Sequence, residues 1–226
     1  MTPRQMQIAF EKSAAYVNEV REGSIRIDSD HVNYYLNQGG RVIFNKKLNN
    51  ATKETSDGIK VSQRELDEVR NLIIKNQTLI KDNSLTTSEY DVYTLPDNYY
   101  FMIADKTTTS HFTVEKIYQN RMYSSERIHE VLEDTHYGTK YNSPVSELAN
   151  NKLYIYKKSN FTISNVKIDY IKDFTEVNVI TNQAMTLDES LHEEVVQMAI
   201  TIFLENINSG RFRTSIEKNT ITEQLN

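Results

Sequence analysis

Apolar residues recur at helical spacing at both ends of the chain and alternate in strand fashion through its middle. At the start, Met6, Phe10, Ala14 and Val17 repeat every three or four positions. Thr2 is placed to cap that helix, Pro3 suits its first position and Gly23 ends it. A second helix is expected from the Ser29-Asp30 cap through Val32, Tyr35 and Leu36 to Val42 and Ile43. It runs across Gly39-Gly40, where each glycine costs about 1 kcal/mol against alanine. The pair marks either a kink or a place where another backbone comes close. Ser62 and Glu65 then form a capping-box pair, with Val61 and Leu66 as its hydrophobic staple. A third helix through Val69, Leu72 and Ile73 follows from that signal.

From about residue 85 the period changes to two. Tyr90 to Leu95 reads as a strand stopped by Pro96. Leu153 to Tyr156 and Phe161 to Ile163 are strands around the turn 157–160, and Val166, Ile168 and Tyr170 alternate with polar residues. A short helix, Ser125 to Glu133, lies between them, and Asp134 to Asn151 reads as a loop. Helical spacing returns in Leu191, Val195, Met198, Ile202 and Phe203, with a stop at Gly210. These elements predict an α+β fold: a discontinuous helical bundle of three N-terminal helices and one long C-terminal helix, with a small antiparallel β domain inserted. The expected divisions are 1–82 for the first helices, 83–185 for the β-rich insert, 186–210 for the closing helix and 211–226 for an extended arm.

Composition narrows what such a chain can do. Its 226 residues are enough for a real core, yet only 38% are hydrophobic, which suits a subunit that buries surface against neighbours. With no cysteine, disulfides and thiolate metal sites are excluded, and assembly in a cytoplasm is favoured. The polar start Met1-Thr2-Pro3-Arg4-Gln5 precedes no apolar run, so no secretory signal is expected. The apolar run Met198 to Leu204 falls far short of the roughly 20 residues that span a bilayer. Net charge is -5 with no basic stripe, which argues against specific grip on nucleic acid.

Candidate chemistry is sparse. His192-Glu193-Glu194 is half of a zinc-protease helix motif without the second histidine, and the stripe at Leu191 and Val195 puts His192 on the exposed flank. Glu130, Asp134 and His136 are the nearest approach to a general-acid cluster, but such charges at a helix end are commonly just solvated. No nucleophile elbow, phosphate loop or dinucleotide fingerprint is present. Neither a cofactor nor a metal is expected. Two features read as contact surface instead. One is the segment from Arg211 to Asn226, with Arg211, Phe212, Arg213 and Ile216. The other is the cluster Tyr90, Tyr93, Tyr99, Tyr100 and Phe101, which divides between core and interface. The interface expectation comprises Met6, Phe10, Tyr99, Tyr100, Arg211, Phe212, Arg213 and Ile216.

The opening Met1-Thr2-Pro3-Arg4-Gln5-Met6-Gln7-Ile8 and the phrase His31-Val32-Asn33-Tyr34-Tyr35-Leu36-Asn37-Gln38 resemble the ring and adaptor proteins, or head-to-tail connectors, of crAss-like bacteriophages. So do Thr94-Leu95-Pro96-Asp97-Asn98-Tyr99-Tyr100, the block Asn151 to Ile171 and the stretch Leu191 to Arg211. The resemblance implies a homo-oligomeric, twelvefold ring in the neck of the virion. Its partners would be the portal protein and neighbouring neck and tail rings, with genomic DNA passing through the lumen without sequence-specific binding. An acidic lumen would not hold passing phosphates. Two other readings stay open: a soluble binding or regulatory protein, and a carboxylate-dependent hydrolase.

Overall fold

In the computed structural model, residues 1–19, 27–55, 58–61, 67–111, 114–158 and 160–206 are described. They divide into two compact units, one built from the chain before Ile73 and after Asp173, the other from Ile73–Asp173.

The first unit holds α1 (Pro3–Glu19), α2 (Ser29–Ala51) and a helix at residues 192–206, here α4. A capping box starts α1: Gln5 N donates to Thr2 Oγ1 at 3.3 Å, and Thr2 N donates to Gln5 Oε1 at 2.8 Å. The cap of α2 is Asp28, whose Oδ1 accepts from His31 N at 2.9 Å, one residue before the expected cap. Phe10, Tyr35 and Phe203 pack ring against ring at 5.2–6.2 Å and tie α1, α2 and α4 together. The segment after Phe174 is pinned to α2 by Asn37, which exchanges two hydrogen bonds with the Val177 backbone at 2.8 and 3.0 Å.

Gly39 and Gly40 resolve in favour of close approach, since α2 runs unbroken through both. A Cβ on Gly39 would stand 2.7 Å from Val195 O and 2.8 Å from Ala199 N, both backbone atoms of α4. Only glycine lets the two helices meet there.

The expected third helix is corrected. Residues 62–66 lie outside those described, Asp67–Leu72 forms a 3₁₀ turn, and Ile73 already begins a strand. Val69 and Leu72 are three apart, a spacing that a 3₁₀ turn satisfies as well as an α-helix. The β-branched Ile73-Ile74 pair then finds strand partners in Ile171 and Tyr170. A short hairpin, β1 (Thr52–Thr55) with β2 (Gly58–Val61), follows α2. The pattern of three N-terminal helices plus a closing helix therefore does not hold, although the α+β class does.

The second unit, Ile73–Asp173, holds two sheets and is not wholly antiparallel. One sheet has the order β4-β5-β10-β9-β8 and the other β3-β11-β6-β7. The strands are β3 (Ile73–Thr78), β4 (Ile80–Lys81), β5 (Tyr90–Thr94), β6 (Tyr99–His111), β7 (Val114–Gln119), β8 (Arg121–Tyr123), β9 (Val145–Ala149), β10 (Lys152–Tyr156) and β11 (Thr162–Lys172). All pairs are antiparallel except β8 with β9. Met102, Val166, Ile168 and Tyr170 from one sheet share a core with Tyr93, Leu95, Leu153 and Ile155 from the other. The short α3 (Ile128–Glu133) packs Ile128 and Val131 on Val145. The Asp134–Asn151 stretch, expected as loop, contains β9, and Asn150 (φ 51°) and Asn151 (φ 58°) make the two-residue turn into β10. Two adjacent left-handed residues are what a type I′ hairpin requires, and asparagine tolerates both.

Asp82 anchors the loop before β5. Its Oδ2 meets Lys152 Nζ at 2.5 Å and its Oδ1 accepts from Ser84 Oγ at 2.6 Å. Lys152 first, then Ser84, hold the carboxyl down at about 2. A folded pKa below the unfolded value contributes stability above about pH 4 that disappears as pH falls toward 2. Asp82→Asn is expected to lower the urea midpoint at pH 6 and to flatten its decline between pH 4 and 2.

Candidate assembly surface

Strand β6 is thirteen residues long and buries an unusual set: Asp105, Thr107 and Thr109 are 3%, 0% and 1% exposed. Its partner β7 is the edge of the four-stranded sheet and is almost wholly exposed. The six pairs from Lys106–Gln119 to His111–Val114 run without a register break. The opposite edge, β3, is different. Its pairing with β11 shifts between Ile168 and Tyr170, Asn76 takes φ 55°, and Asp169 Oδ1 accepts from Asn76 N at 2.7 Å. Such an irregularity blunts an edge against further pairing, and β7 has none. Val114 and Ile117, 53% and 60% exposed, stand on β7 facing opposite sides of the sheet.

On one side of β7 lies a groove of about 270 Å³ lined by Thr109, His111, Val114, Lys116, Tyr118 and Tyr141. His111 and Tyr141 stack at 4.4 Å with planes 10° apart, and Tyr118 meets Tyr141 edge-on at 6.3 Å. His111 Nδ1 donates to Asn160 O at 2.6 Å, and Thr109 Oγ1 donates to Tyr141 O at 2.7 Å. The loop that supplies Tyr141 is braced from inside. One Arg121 nitrogen, Nη2, reaches the carbonyls of Tyr137, Gly138 and Ser143 at 2.8, 3.0 and 3.3 Å. Thr139 Oγ1 donates to Tyr156 O at 2.8 Å and accepts from Val145 N at 3.3 Å. The surface is thus preformed rather than a floppy tip.

Of the carboxylate cluster, Asp134 has a structural role. Asp134 Oδ1 accepts from His136 N at 2.6 Å and Tyr137 N at 3.0 Å, an Asx turn that closes α3. Hydrogen bonds from Tyr137 and then His136 hold its pKa below the usual range, so it stays ionised, the opposite of what a general acid needs. Glu130 and Asp134 share a hollow of about 380 Å³ with Tyr123, Arg127, Val131 and Tyr137, and His136 does not line it. His192 is 3% exposed, not on an exposed flank. Its Nε2 donates to Leu187 O at 3.1 Å, and Nδ1 lies 2.9 Å from Met1 N and 3.1 Å from Met1 O. The 3₁₀ turn Glu189–Leu191 precedes α4, and the buried stripe falls on His192, Val195, Val196, Ala199, Ile200 and Phe203. Among the described residues no three His, Asp or Glu side chains converge as metal ligands would.

Of the residues expected at an interface, Met6 and Phe10 are 1% and 0% exposed inside the helical unit and have no surface to offer a neighbour. Their apolar stripe is core because α2 and α4 already cover it. Tyr99 and Tyr100 are half-buried at the start of β6, and burial among the core residues pushes the Tyr99 phenol up to about 12. Arg211, Phe212, Arg213 and Ile216 lie outside the described residues. The exposed set on β7 and Tyr141 went unread. Its available signal was the run of β-formers from Thr107 to Tyr118.

No protein-family model and no curated protein matches this chain. Among the described residues no helix is long and apolar enough to cross a membrane.

Proposed function

We propose that the chain is a non-enzymatic structural subunit of a virus particle, a ring-forming head-to-tail adaptor. In this reading it sits in the neck between portal and tail and encloses the channel through which genome DNA leaves. One observation carries the assembly part: β7 is a regular sheet edge, unprotected by a bulge and flanked by exposed Val114 and Ile117. In a solitary molecule that edge is an aggregation hazard, whereas in a ring it is a contact. A ring needs a heterologous contact, one surface against a different one, repeated until rotation closes it. The β7 edge supplies one such surface. The segment from Arg211 onward supplies another contact element in this reading. The virus and neck assignments rest on the sequence resemblance.

The test is native mass spectrometry and negative-stain imaging of the purified chain, alone and with its portal. Closed rings are expected for the wild type. Ile117→Lys is expected to weaken subunit association at least tenfold, about 1.4 kcal/mol, with an unchanged circular dichroism spectrum. A chain that stays monomeric even with portal present overturns the ring. Rings indifferent to Ile117→Lys overturn the role of β7.

A further inference from the structure

The buried Asp91 and the half-buried Asp82 and Asp169 each have a lysine as counter-charge: Asp91 meets Lys81 and Lys157 at 2.8 and 2.5 Å, Asp82 meets Lys152 at 2.5 Å and Asp169 meets Lys106 at 2.6 Å. Buried Glu147 has a neutral donor, Tyr156 OH at 2.6 Å. Asp105 has no lysine or arginine partner either. It is 3% exposed on β6, and its one hydrogen-bonding side chain is the neutral Asn120, whose Nδ2 donates to Oδ2 at 2.7 Å. Of the guanidinium next in sequence, Arg121 Nη2 is directed at three loop carbonyls, while its buried Nε has no hydrogen-bond partner and makes no ion pair with Asp105. An ionised carboxylate buried without a counter-charge is among the most costly features a core can hold.

The groups around it share the problem. Asn120 follows β7 and stands across from Asp105, its backbone N–H donating to Asp105 O at 3.0 Å. Thr107 is the next residue of β6 on the same face, a distance of roughly two strand residues. Burial pushes the Asp105 pKa up, and the neighbouring Ser146 of β9 and Asn120 offset this only in part; Ser146 Oγ itself completes no hydrogen bond. Asn120 Oδ1 and Thr107 Oγ1 are likewise without a partner, and Thr107, Ser146 and Asn120 are 0%, 0% and 7% exposed. What is unusual is their grouping: all three oxygens belong to residues paired with, next on the same face as, or packed on Asp105, and each buried orphan calls for a partner.

We propose that Asp105, Asn120, Thr107 and Ser146 form a binding site for a monovalent metal cation, sodium, inside the β-sandwich unit. All four offer hard oxygens, which select alkali and alkaline-earth ions over zinc or copper. One carboxylate balances one positive charge. A divalent ion would leave the interior net positive, and calcium sites draw six to eight oxygens with several carboxylates. The competing arrangement is a protonated Asp105 with a bridging water, which burial favours and which predicts no difference between sodium and a bulky cation. The site lies within one unit, so it does not depend on whether copies assemble.

Thermal unfolding at pH 8 and about 0.15 M ionic strength tests it, with sodium chloride against tetramethylammonium chloride, whose cation is too large to enter. The wild type is expected to melt several degrees higher in sodium. Asp105→Asn, nearly the same shape, should fold and lose that difference, and Ser146→Ala should reduce it. Equal melting in the two salts overturns the site. So does a sodium effect that both variants retain in full, or a larger effect from calcium chloride at matched ionic strength.

Discussion

Gly39→Ala is expected to destabilise the helical unit by about 3 kcal/mol or more, above the usual cost of overpacking. In an ordinary exposed helix the same change gains about 1 kcal/mol. Here the new methyl would meet Val195 O at 2.7 Å, Ala199 N at 2.8 Å and Ala199 Cα at 3.2 Å, all backbone. Backbone atoms inside a helix cannot turn aside, so α2 and α4 must separate. The contacts at risk include those of Phe10 and Tyr35 with Phe203. Gly40→Ala is the control. Its Cβ would meet Met185 Cε at 2.8 Å, the free end of a flexible side chain, and Phe174 Cε2 at 3.4 Å. Rotation of that methionine relieves the clash, and the gain in helix propensity offsets much of what remains. Circular dichroism melts of the two variants should differ widely. A Gly39→Ala protein that melts with the wild type would mean the helices do not need the close approach.

That contrast also shows where sequence reading stops. The glycine pair was legible as a kink or a contact, and only the facing helix decided between them. The cap of α1 was legible because Thr2 and Gln5 act locally. The closing helix was legible as an element, and its rotation only approximately. Of the expected stripe, Leu191, Val195, Ala199 and Phe203 are buried, whereas Met198 and Ile202 are half-buried and His192, passed over as polar, is buried in their stead. The β unit hid for a related reason. Periodicity detects strands whose inward positions are apolar, and β6 turns Asp105, Thr107 and Thr109 inward. In β9, Ser146 and Glu147 are buried too, so the segment read as loop. The candidate surface was obscured from the other side, since Ile117 points outward beside Glu115 and Lys116 and breaks any alternation. The buried polar group around Asp105 and the exposed β7 edge are both places where the usual pattern is inverted.

The second large effect concerns Asp91, which shows how the same sandwich treats a buried charge it has paired. Its side chain is 2% exposed and held between Lys81 at 2.8 Å and Lys157 at 2.5 Å. The lysines are 36% and 19% exposed, so each can swing its ammonium into water if the carboxylate is removed. The carboxylate has no such escape. Asp91→Asn should therefore cost only about 1–2 kcal/mol, an ordinary loss of charge-assisted hydrogen bonds. Lys81→Met or Lys157→Met alone leaves one cation in place, and each should cost about as much. Lys81→Met with Lys157→Met strands the charge, and the loss should reach about 3–5 kcal/mol, more than the two singles together. The decisive variant adds Asp91→Asn to that pair. If charge burial is the cause, the triple variant should recover most of the stability in a urea titration, despite having lost three native side chains. If the triple is instead less stable than the double, the two lysines stabilise the sheet through packing of their aliphatic stems, and the ion pairs contribute little.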